Sequence, residues 1–596
     1  VIGAVIGSGW LFGSLYAASV AGPAAIISWI LGGVFLMFVA FSFAELGGMI
    51  PKSGSIVRYP QYSHGSLTSY ILAWAYFLGA ITVPPAEAEA VVTYMSSYVP
   101  GLTVSGVLTL LGGIVAFAFL TFFFLLNYFG VHVMGKTNTG VGWWKLLIPI
   151  LTVAFLIGLF FHPANFTGMP GGFVPYGWAP VFMALPTTGI VFAYLGFRQG
   201  VEYGGEAKNP QRDLPLGTVL GFLTCMAIYI LLQVAFIGAI DWSKLNLKPG
   251  DWADLTSTVL SSGPFYEIMK VSGVAILAAF AIVLLIDAIV SPSGTGWIYT
   301  GTSARTFYGM AADGHLPDWF LQLNRWKVPK WATIAAWLVG ALFLIPYPAW
   351  VYIATFISST TVLTYVVVGS TLVVLRKTAP NAPRPFKLPA AYVFGALAFI
   401  FAYLIPYWSG FTTMWGVTAL VLAGLPMFFM YTSVNRFGVK RANAVILGVI
   451  YWIILALSTW FLIYQDIIVP YNAASASGSA LPFGMKYVVP FMTYWVLMLV
   501  VTVIFILIIN MWANEEGKQH IKAGWWVIGL LFSVLLLDFF GPFSVWTSPP
   551  LPFPWDTITA AIVALALFIW SVYSGIPTRD LEVVLREMGV IKEERK

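Results

Sequence analysis

The stretch that decides the fold is "GAVIGSGWLFG", residues 3–13, which lies within a long apolar run. Gly7, Ser8 and Gly9 stand near the middle of that run. Because glycine costs a helix about 1 kcal/mol relative to alanine, two glycines within three residues predict an interrupted helix. In a membrane, a broken helix is tolerated only where it lines a cavity or is buried in protein. The alternative is a small-residue face for helix packing, and this stretch alone leaves both readings open.

The composition is that of an integral membrane protein. Of the 596 residues, 59% are hydrophobic and 9% are charged, and the mean hydropathy is +0.87. Soluble domains carry about 25% charged residues. The single cysteine, Cys225, excludes a disulfide framework and a cysteine-based metal site. We therefore expect membrane lipid around the chain, with no nucleic-acid partner, no metal and no cofactor.

Sixteen apolar segments approach the length of about 20 residues that a membrane-spanning helix needs. They are 1–20, 24–49, 66–98, 107–129, 141–162, 180–204, 215–240, 270–302, 331–346, 349–375, 390–409, 412–432, 443–464, 487–512, 523–541 and 556–574. The predicted total is 14–16 helices, because two neighbouring pairs, 331–346/349–375 and 523–541/556–574, are the least well defined. No sheet and no sizeable soluble domain is expected.

The placement of positive charge predicts the orientation. Lysine and arginine concentrate in the cytoplasmic loops of membrane proteins. With the N-terminus in the cytoplasm, most of the 29 Lys and Arg residues fall on the cytoplasmic side. The exceptions are Lys244, Lys248, Lys270 and Lys486 in outer loops and Lys145 and Arg198 within spans. The alternation predicts an even number of spans, both termini in the cytoplasm and a multi-pass protein of the cell membrane.

A second span interrupted by glycines supports the interpretation that the break in the first span is functional. The sixth segment continues as "GIVFAYLGFRQGVEYGGEAKNPQRDLP", residues 189–215, and glycines interrupt it at Gly196 and Gly200. Interrupted helices at corresponding places in two halves of a chain indicate a transporter binding site. The first and sixth spans are five apart, as an inverted five-plus-five repeat requires.

Several motifs resemble the amino acid–polyamine–organocation (APC) permeases. The opening "IGSGWLFGS", "AGPAAIISW" and "FAELGGMIPKSGS" resembles the start of these proteins. The later motifs, in family order, are "GGEAKNPQRDLP", "TSARTFYGMAADGHLP" and "LRKTAPNAPRPFKLP". The resemblance implies an all-α membrane protein with the leucine-transporter (LeuT) fold. Its ten core helices would form a 5+5 inverted repeat in which helices 1 and 6 are broken, followed here by about six further helices.

The resemblance also implies a division of the chain. Residues 1–376 would be the transport core and 377–432 helices 11 and 12. Residues 433–577 would be additional C-terminal transmembrane helices, which the resemblance does not explain, and 578–596 a cytoplasmic tail with a charged helix. For the additional helices we favour dimerisation or lipid contact over a role in transport, and a homo-oligomer or a membrane partner would contact the chain there.

By position, the resemblance implies a substrate site in the two broken helices. The backbone of Ile6, Gly7, Ser8 and Gly9 would meet the carboxylate of an amino acid or related amine. The substrate amine would be held by the second group, which also supplies an aromatic gate: Phe192, Ala193, Tyr194, Leu195 and Gly196. Arg198 departs from the family, which often has Glu after the Gly-Phe pair. We expect it to pair with Glu202 one helical turn later, or else to favour an acidic substrate.

Charged residues inside spans are candidates for ion coupling, because placing a charged side chain within the membrane costs free energy. Lys145 either snorkels to the cytoplasmic face or, as in some proton-coupled members of the family, replaces a sodium ion. A buried amine can release and take up a proton near neutral pH. In the eighth segment, Ser291 and Thr295 offer hydroxyls to Lys145 or to sodium, and Asp287 is either a proton site or a structural partner.

Two carboxylates in the third segment complete the candidates for proton coupling. Glu87 and Glu89 are two residues apart and so face different sides of a helix. Each is either a proton carrier or counter-charge, or part of a hydrated helix end.

The sequence therefore predicts a permease that moves amino acids by proton symport and alternating access. The alternatives are a sodium-coupled symporter, an amino acid or amine exchanger, and a transporter-like sensor or scaffold. A fixed ammonium at Lys145 would repel sodium, which favours the proton. No motif of a metalloprotease, serine hydrolase or P-loop enzyme occurs, so no enzymatic activity is expected.

Overall fold

The computed structural model describes residues 1–104, 106–129, 131–345, 349–464, 467–468, 470 and 479–591. This part of the chain is almost entirely helical. Its one sheet is a short antiparallel hairpin, in which β1 (Thr103–Val104) pairs with β2 (Val107–Leu108). The hairpin, which the sequence analysis did not predict, lies in the loop between two long helices.

The α-helices are numbered in chain order. The first fourteen are α1 (Ile2–Val5), α2 (Ser8–Ala21), α3 (Ala25–Met49), α4 (Ser55–His64), α5 (Ser66–Met95), α6 (Leu110–Phe129), α7 (Val131–Leu159), α8 (Ala164–Thr167), α9 (Ala179–Thr187), α10 (Ile190–Tyr194), α11 (Gln199–Glu202), α12 (Pro210–Gly238), α13 (Pro264–Val271) and α14 (Ala275–Ala312). The remaining ones are α15 (Lys330–Leu342), α16 (Trp350–Thr364), α17 (Val366–Thr378), α18 (Ala391–Tyr407), α19 (Phe411–Met427), α20 (Ser433–Phe437), α21 (Arg441–Tyr464), α22 (Met485–Trp512), α23 (Glu515–Lys522), α24 (Trp525–Phe540), α25 (Trp555–Ser574) and α26 (Arg579–Glu587).

Short turns of other helix types join these elements. The 3-10 turns are Gly22–Ala24, Leu195–Arg198, Gly204–Glu206, Trp252–Ser257, Val259–Ser261 and Asp318–Leu321, and one π-helical turn covers Phe428–Thr432. The π-helical turn continues α19 into α20 without interruption.

The helices confirm a multi-pass all-α membrane protein. Within the described residues, twelve helical stretches are long and apolar enough to cross a membrane, or thirteen with the bent pair Ala179–Thr187 and Ile190–Glu202. One of the twelve, Ser8–Met49, contains two of the predicted segments. Two further predicted segments correspond to the shorter apolar helices Lys330–Leu342 and Ala391–Tyr407. Each of the sixteen predicted segments is therefore helical over most of its described length.

The chain divides into two compact units. The first contains Val1–Ala44, Leu78–Arg305 and Leu321–Ser358; the second contains Glu45–Phe77, Thr306–Phe320 and Ser359–Lys596. Each unit is discontinuous in sequence, and the boundary falls inside α3, α5, α14 and α16.

The first helix is broken where the sequence predicts it. α1 ends at Val5, and Ile6 is extended, with φ −83° and ψ 93°. Gly7 has φ −125° and ψ −144°, outside the helical region, and α2 begins at Ser8. The neighbouring Gly9 permits close packing, because a Cβ there would lie 2.6 Å from the Cβ of Ala193 in α10. The glycines thus both interrupt the helix and bring its second half against α10.

The sixth span is bent earlier than its cluster of glycines suggests. α9 meets the helical stretch Ile190–Glu202, which begins with α10, at an angle of 53°. Gly189, the residue before α10, has a φ of +86°, which L-residues with side chains rarely adopt. Gly196 lies in the 3-10 turn that follows α10, and a Cβ there would lie 2.3 Å from the carbonyl oxygen of Ala4. Gly196 is therefore required for contact with α1 and does not produce the sharp bend.

Charged residues of two permease-like motifs hold the second unit together. The buried Glu45 carboxylate accepts hydrogen bonds from the Arg376 guanidinium, at 2.7 and 2.6 Å, and from the backbone N–H of Leu388, at 2.8 Å. Arg384 lies 3.4 Å from the same carboxylate. A bidentate arginine pair satisfies a buried carboxylate well, so these motif residues have a structural role.

Candidate functional site

The break in the first helix exposes a backbone amide to a carboxylate of the same chain. The N–H of Ser8, the first residue of α2, donates a hydrogen bond of 2.9 Å to Oε2 of Glu87. The start of a helix attracts anions, because its N–H groups lack helical partners and carry partial positive charge. Glu87 lies in α5 and is 1% exposed. The arrangement shows that this break can hold a carboxylate.

A small cavity surrounds this contact. Its volume is about 10 Å³. The lining residues are Ala4, Val5, Gly7, Gly9, Val83, Glu87, Phe192, Ala193, Thr295 and Tyr299. A cavity needs about 10–15 Å³ to hold a single water molecule, so an amino acid enters only after the surrounding helices move.

Gly7 leaves space for the polar groups of the cavity. A Cβ at Gly7 would lie 2.7 Å from Oε1 of Glu87 and 2.8 Å from Oγ1 of Thr295. Both distances are shorter than real Cβ contacts, so any side chain at this position displaces one of the two groups.

Lys145 lies at the other side of the break. Its Nζ donates hydrogen bonds to the carbonyl oxygen of Gly3, at 2.7 Å, and to Oγ1 of Thr295, at 2.9 Å. The side chain is fully buried and so does not snorkel to an aqueous surface. Thr295 Oγ1 also lies 3.2 Å from the carbonyl oxygen of Ile6. The ammonium thus joins the end of α1 to α14. The carbonyl groups at the end of α1 favour a positive charge at this position.

Asp287 forms a separate polar group one helical turn before Ser291. One oxygen of its carboxylate accepts hydrogen bonds from Ser291 Oγ, at 2.7 Å, and from Trp144 Nε1, at 2.8 Å. No ion pair within 4.0 Å joins Lys145 to Asp287 or Glu87 among the described residues. Asp287 therefore contacts the residue before Lys145 and not the ammonium itself.

The structure brings together only part of the predicted substrate site. Gly7, Gly9, Phe192 and Ala193 line the cavity, and Ser8 contributes its amide to Glu87. The remaining predicted residues are buried behind it: Ile6, Tyr194, Leu195 and Gly196. The hydroxyl of Tyr194 donates to the carbonyl oxygen of Trp29 at 3.1 Å, so it holds α3 instead of facing the cavity.

Two predicted charges lie outside the cavity lining. Glu89 is fully buried in α5 but, unlike Glu87, does not line the cavity, in agreement with their different faces. Arg198 is also fully buried, with its guanidinium carbon 5.7 Å from the ring centroid of Tyr299. Arg198 thus lies beside a residue of the cavity lining without lining the cavity itself.

Sequence reasoning missed two aromatic residues. Tyr299 lines the cavity, eight residues after Ser291 in α14. Trp350 donates from Nε1 to Oγ of Ser8 at 2.9 Å, and its ring lies 5.6 Å from that of Phe192 in an edge-to-face arrangement. Neither residue belongs to a motif or a charge pattern, so no signal in a single sequence identifies it.

A membrane protein with a broken first helix, a bent sixth helix and polar groups converging on the break belongs to the class of secondary transporters. The sequence comparisons agree with this class. The family model described as "Amino acid permease" matches residues 1–425. The chain belongs to this amino acid permease family of the APC superfamily and transports amino acids, as the sequence analysis predicted.

Two relatives match over almost the whole length of the chain. The glutamate/serine transporter AimA of Bacillus subtilis is 33% identical over 98% of this chain and 93% of its own length. The aspartate-proton symporter of the same organism is 30% identical over 98% of this chain and 96% of its own. The branched-chain amino acid permease BcaP of Bacillus subtilis is 26% identical over 72% of this chain and 90% of its own. The first two matches therefore include the additional C-terminal helices.

Proposed function

We propose that the protein takes up small acidic or hydroxyl-bearing amino acids together with a proton. The two full-length relatives are named for glutamate and serine and for aspartate with a proton. The observation that carries the proposal is the position of Lys145, whose buried ammonium joins the broken first helix to α14 through Gly3 and Thr295.

The contacts of Lys145 give a physical route to proton coupling. The protonated amine donates to the carbonyl of Gly3 and to the hydroxyl of Thr295, and it places a positive charge beside the end of α1. Loss of the proton removes that charge and weakens the contact between α1 and α14. The protonation of Lys145 is thereby linked to the position of α1, which is the change that alternating access requires.

Glu87 provides a second link between proton and substrate. Its carboxylate occupies the Ser8 amide, the group that the broken helix offers to the carboxylate of an amino acid. The carboxylates of Glu87 and of the substrate cannot both accept a hydrogen bond from the Ser8 N–H at the same time. A proton on Glu87 weakens its hydrogen bond to Ser8 and reduces repulsion of the incoming anion, so protonation favours substrate binding.

The same geometry favours the proton over sodium. The oxygens of Gly3, Ile6 and Thr295 are of the kind that bind a sodium ion, but the Lys145 ammonium already contacts two of them. A second cation there would be repelled at close range.

Arg198 supports an acidic substrate. Its guanidinium lies beside the ring of Tyr299, and Tyr299 lines the cavity. In surroundings of low dielectric constant, a charge attracts an anionic group more strongly than it does in water. We infer that Arg198 stabilises the side-chain carboxylate of aspartate or glutamate across that ring.

The proposal also includes the orientation of the chain in the membrane and its division into regions. We place both termini in the cytoplasm and the protein in the cell membrane, on the basis of the distribution of lysine and arginine. We also propose residues 1–376 as the transport core, 377–432 as helices 11 and 12, and 433–577 as an additional helical region followed by a cytoplasmic tail.

Uptake by purified protein in liposomes tests the proposal. Labelled aspartate, glutamate, serine, leucine and lysine are supplied without sodium, with and without an imposed inward proton gradient. We expect gradient-dependent accumulation of aspartate, glutamate or serine, and none of leucine or lysine. Accumulation that requires sodium, or that is restricted to leucine or lysine, would contradict the proposal.

A further inference from the structure

The last helix of the described chain is amphipathic and docked. This tail helix, Arg579–Glu587, buries Leu581, Val584 and Leu585, each at most 4% exposed. Its opposite face is exposed, with Val583 at 48%. A nine-residue helix is marginal on its own in water, so the tail helix depends on docking for its order.

The tail contacts α4, the short helix Ser55–His64 that joins the second and third spans. The N–H of Ile576 donates to the carbonyl oxygen of Ser63 at 2.9 Å. Oγ1 of Thr578 donates to the carbonyl oxygen of Tyr62 at 3.2 Å and accepts from the N–H of Leu581 at 3.2 Å. The last carbonyl groups of a helix have no partner within it. The tail therefore caps the end of α4, while its own Thr578 caps the start of the tail helix.

A set of charged groups adds to this contact. Oδ2 of Asp580 accepts from Nε2 of Gln61 and from Nη2 of Arg436, both at 2.7 Å. Nη1 of Arg436 donates to the carbonyl oxygen of Asp313 at 2.6 Å. Nε of Arg58 donates to Oδ1 of Asp313 at 3.2 Å. These hydrogen bonds fasten the tail, α4 and the residue after α14 to one another.

The two elements held by the tail lead directly into site helices. After α4 and the single residue Gly65, the chain enters α5, which carries Glu87. Asp313 follows the last residue of α14, which carries Thr295. The tail thus restrains the ends of two of the helices that line the cavity.

We propose that the tail helix is a reversible brake on the transport cycle, held on α4 by Asp580 and the three buried apolar side chains. The proposal rests on the proposed transport function, with α5 and α14 moving during the transport cycle. Docking through three apolar side chains and a few hydrogen bonds can be undone without unfolding the membrane-spanning helices. Release of the tail frees α4 and Asp313 and so speeds the cycle.

The test compares Asp580→Ala with Glu582→Ala in the full-length protein. Glu582 lies on the same helix, and within the described part of the chain its one ion pair is with Arg586 of that helix, so its removal is a matched loss of one charge. Hydrogen exchange of residues 55–64 and 576–587 reports whether the tail is released. If Asp580→Ala leaves it docked, Leu585→Asp is added to remove the apolar contact.

Exchange of labelled for unlabelled substrate across the liposome membrane gives the rate. This readout needs no proton gradient, so the brake can be tested even if proton coupling fails. We expect release of the tail to raise the maximal exchange rate about twofold or more, with KM and substrate preference little changed, and Glu582→Ala to match the wild type. An unchanged or reduced maximal rate in a variant whose tail is released would overturn the proposal.

Discussion

The backbone amide of Ser8 donates a hydrogen bond of 2.9 Å to the carboxylate of Glu87, a residue 79 positions later in the chain. The amide is freed by the helix break at Ile6 and Gly7, and the carboxylate is brought to it by α5. The protein thus places one of its own carboxylates where a helix start binds an anion. Under the proposed function, a substrate carboxylate has to displace it.

Glu87→Gln tests this competition. Glutamine keeps a hydrogen-bond acceptor of similar size but has no proton to gain near neutral pH. In the wild type, substrate affinity should rise as the pH falls, because protonated Glu87 leaves the Ser8 amide more readily. In the variant, we expect this pH dependence to shrink about fivefold or more, because the glutamine side chain has no carboxylate to protonate. Equilibrium binding of labelled substrate at several pH values measures it; an unchanged pH dependence in Glu87→Gln would refute the competition.

Gly7→Ala should weaken substrate binding in a protein that still folds. The new Cβ would lie 2.7 Å from Glu87 Oε1 and 2.8 Å from Thr295 Oγ1, so one of these groups has to move. We expect a loss of affinity of about tenfold or more, the equivalent of 1.4 kcal/mol. Gly416→Ala is the control, because a Cβ at that helical position meets no atom within 4 Å. Equal binding by both variants would show that Gly7 does not shape the site.

Lys145→Met should uncouple transport from the proton gradient. Methionine fills much of the same space but cannot donate to Gly3 or Thr295. We expect accumulation driven by a pH gradient to be lost while exchange of substrate for substrate persists. Lys270→Met, at a half-exposed lysine outside this site, is the control and should accumulate substrate normally. A Lys145→Met variant that still accumulates substrate against its gradient would exclude Lys145 as the coupling group.

The titration of Asp313 predicts a response to the pH on the side of the membrane where the tail lies. Burial raises the pKa of its carboxyl group to about 7, while Arg58 opposes that shift. The other charged or titratable neighbours are Arg436, Asp580 and Tyr62. The carboxyl group is therefore ionised above pH 7, where it pairs with Arg58, and becomes neutral as the pH falls below 7. If the brake depends on this pair, the exchange rate should rise as the pH on the tail side falls from about 8 to 6.

The matching variant is Asp313→Asn, which removes the titration but keeps an acceptor for Arg58. We expect its exchange rate to lose the component with a midpoint near pH 7 and to stay close to the faster, low-pH rate. Persistence of that component in Asp313→Asn would assign it to a different group.

The sequence predicts the spans and the first break well, because both depend on local composition. Apolar length identifies the membrane-length helices, and Gly7 and Gly9 mark a helix interruption without any tertiary information. The bend in the sixth span is different. Several glycines occur there, and only the structure shows that Gly189 has the positive φ whereas Gly196 is needed for contact with α1.

The partners of the site residues depend on tertiary packing and could not be predicted from spacing. The two-residue separation of Glu87 and Glu89 predicts different helix faces, but not which face meets the cavity. Trp350 contacts Ser8 from a helix more than 300 residues away in sequence, and an aromatic residue in an apolar segment carries no distinguishing pattern. A single sequence also does not predict the contact between the tail helix and α4. The amphipathic pattern of the tail can be read from neighbouring residues, but its packing partner cannot.

The measurement that tests the central claim most directly is proton entry during substrate uptake. A pH-sensitive dye is trapped inside sodium-free liposomes that contain the protein, and aspartate or glutamate is added outside at equal starting pH. The account predicts acidification of the interior on addition of substrate in the wild type and none in Lys145→Met. Substrate uptake without acidification, or uptake that begins only when sodium is added, would contradict proton coupling through the site at the broken first helix.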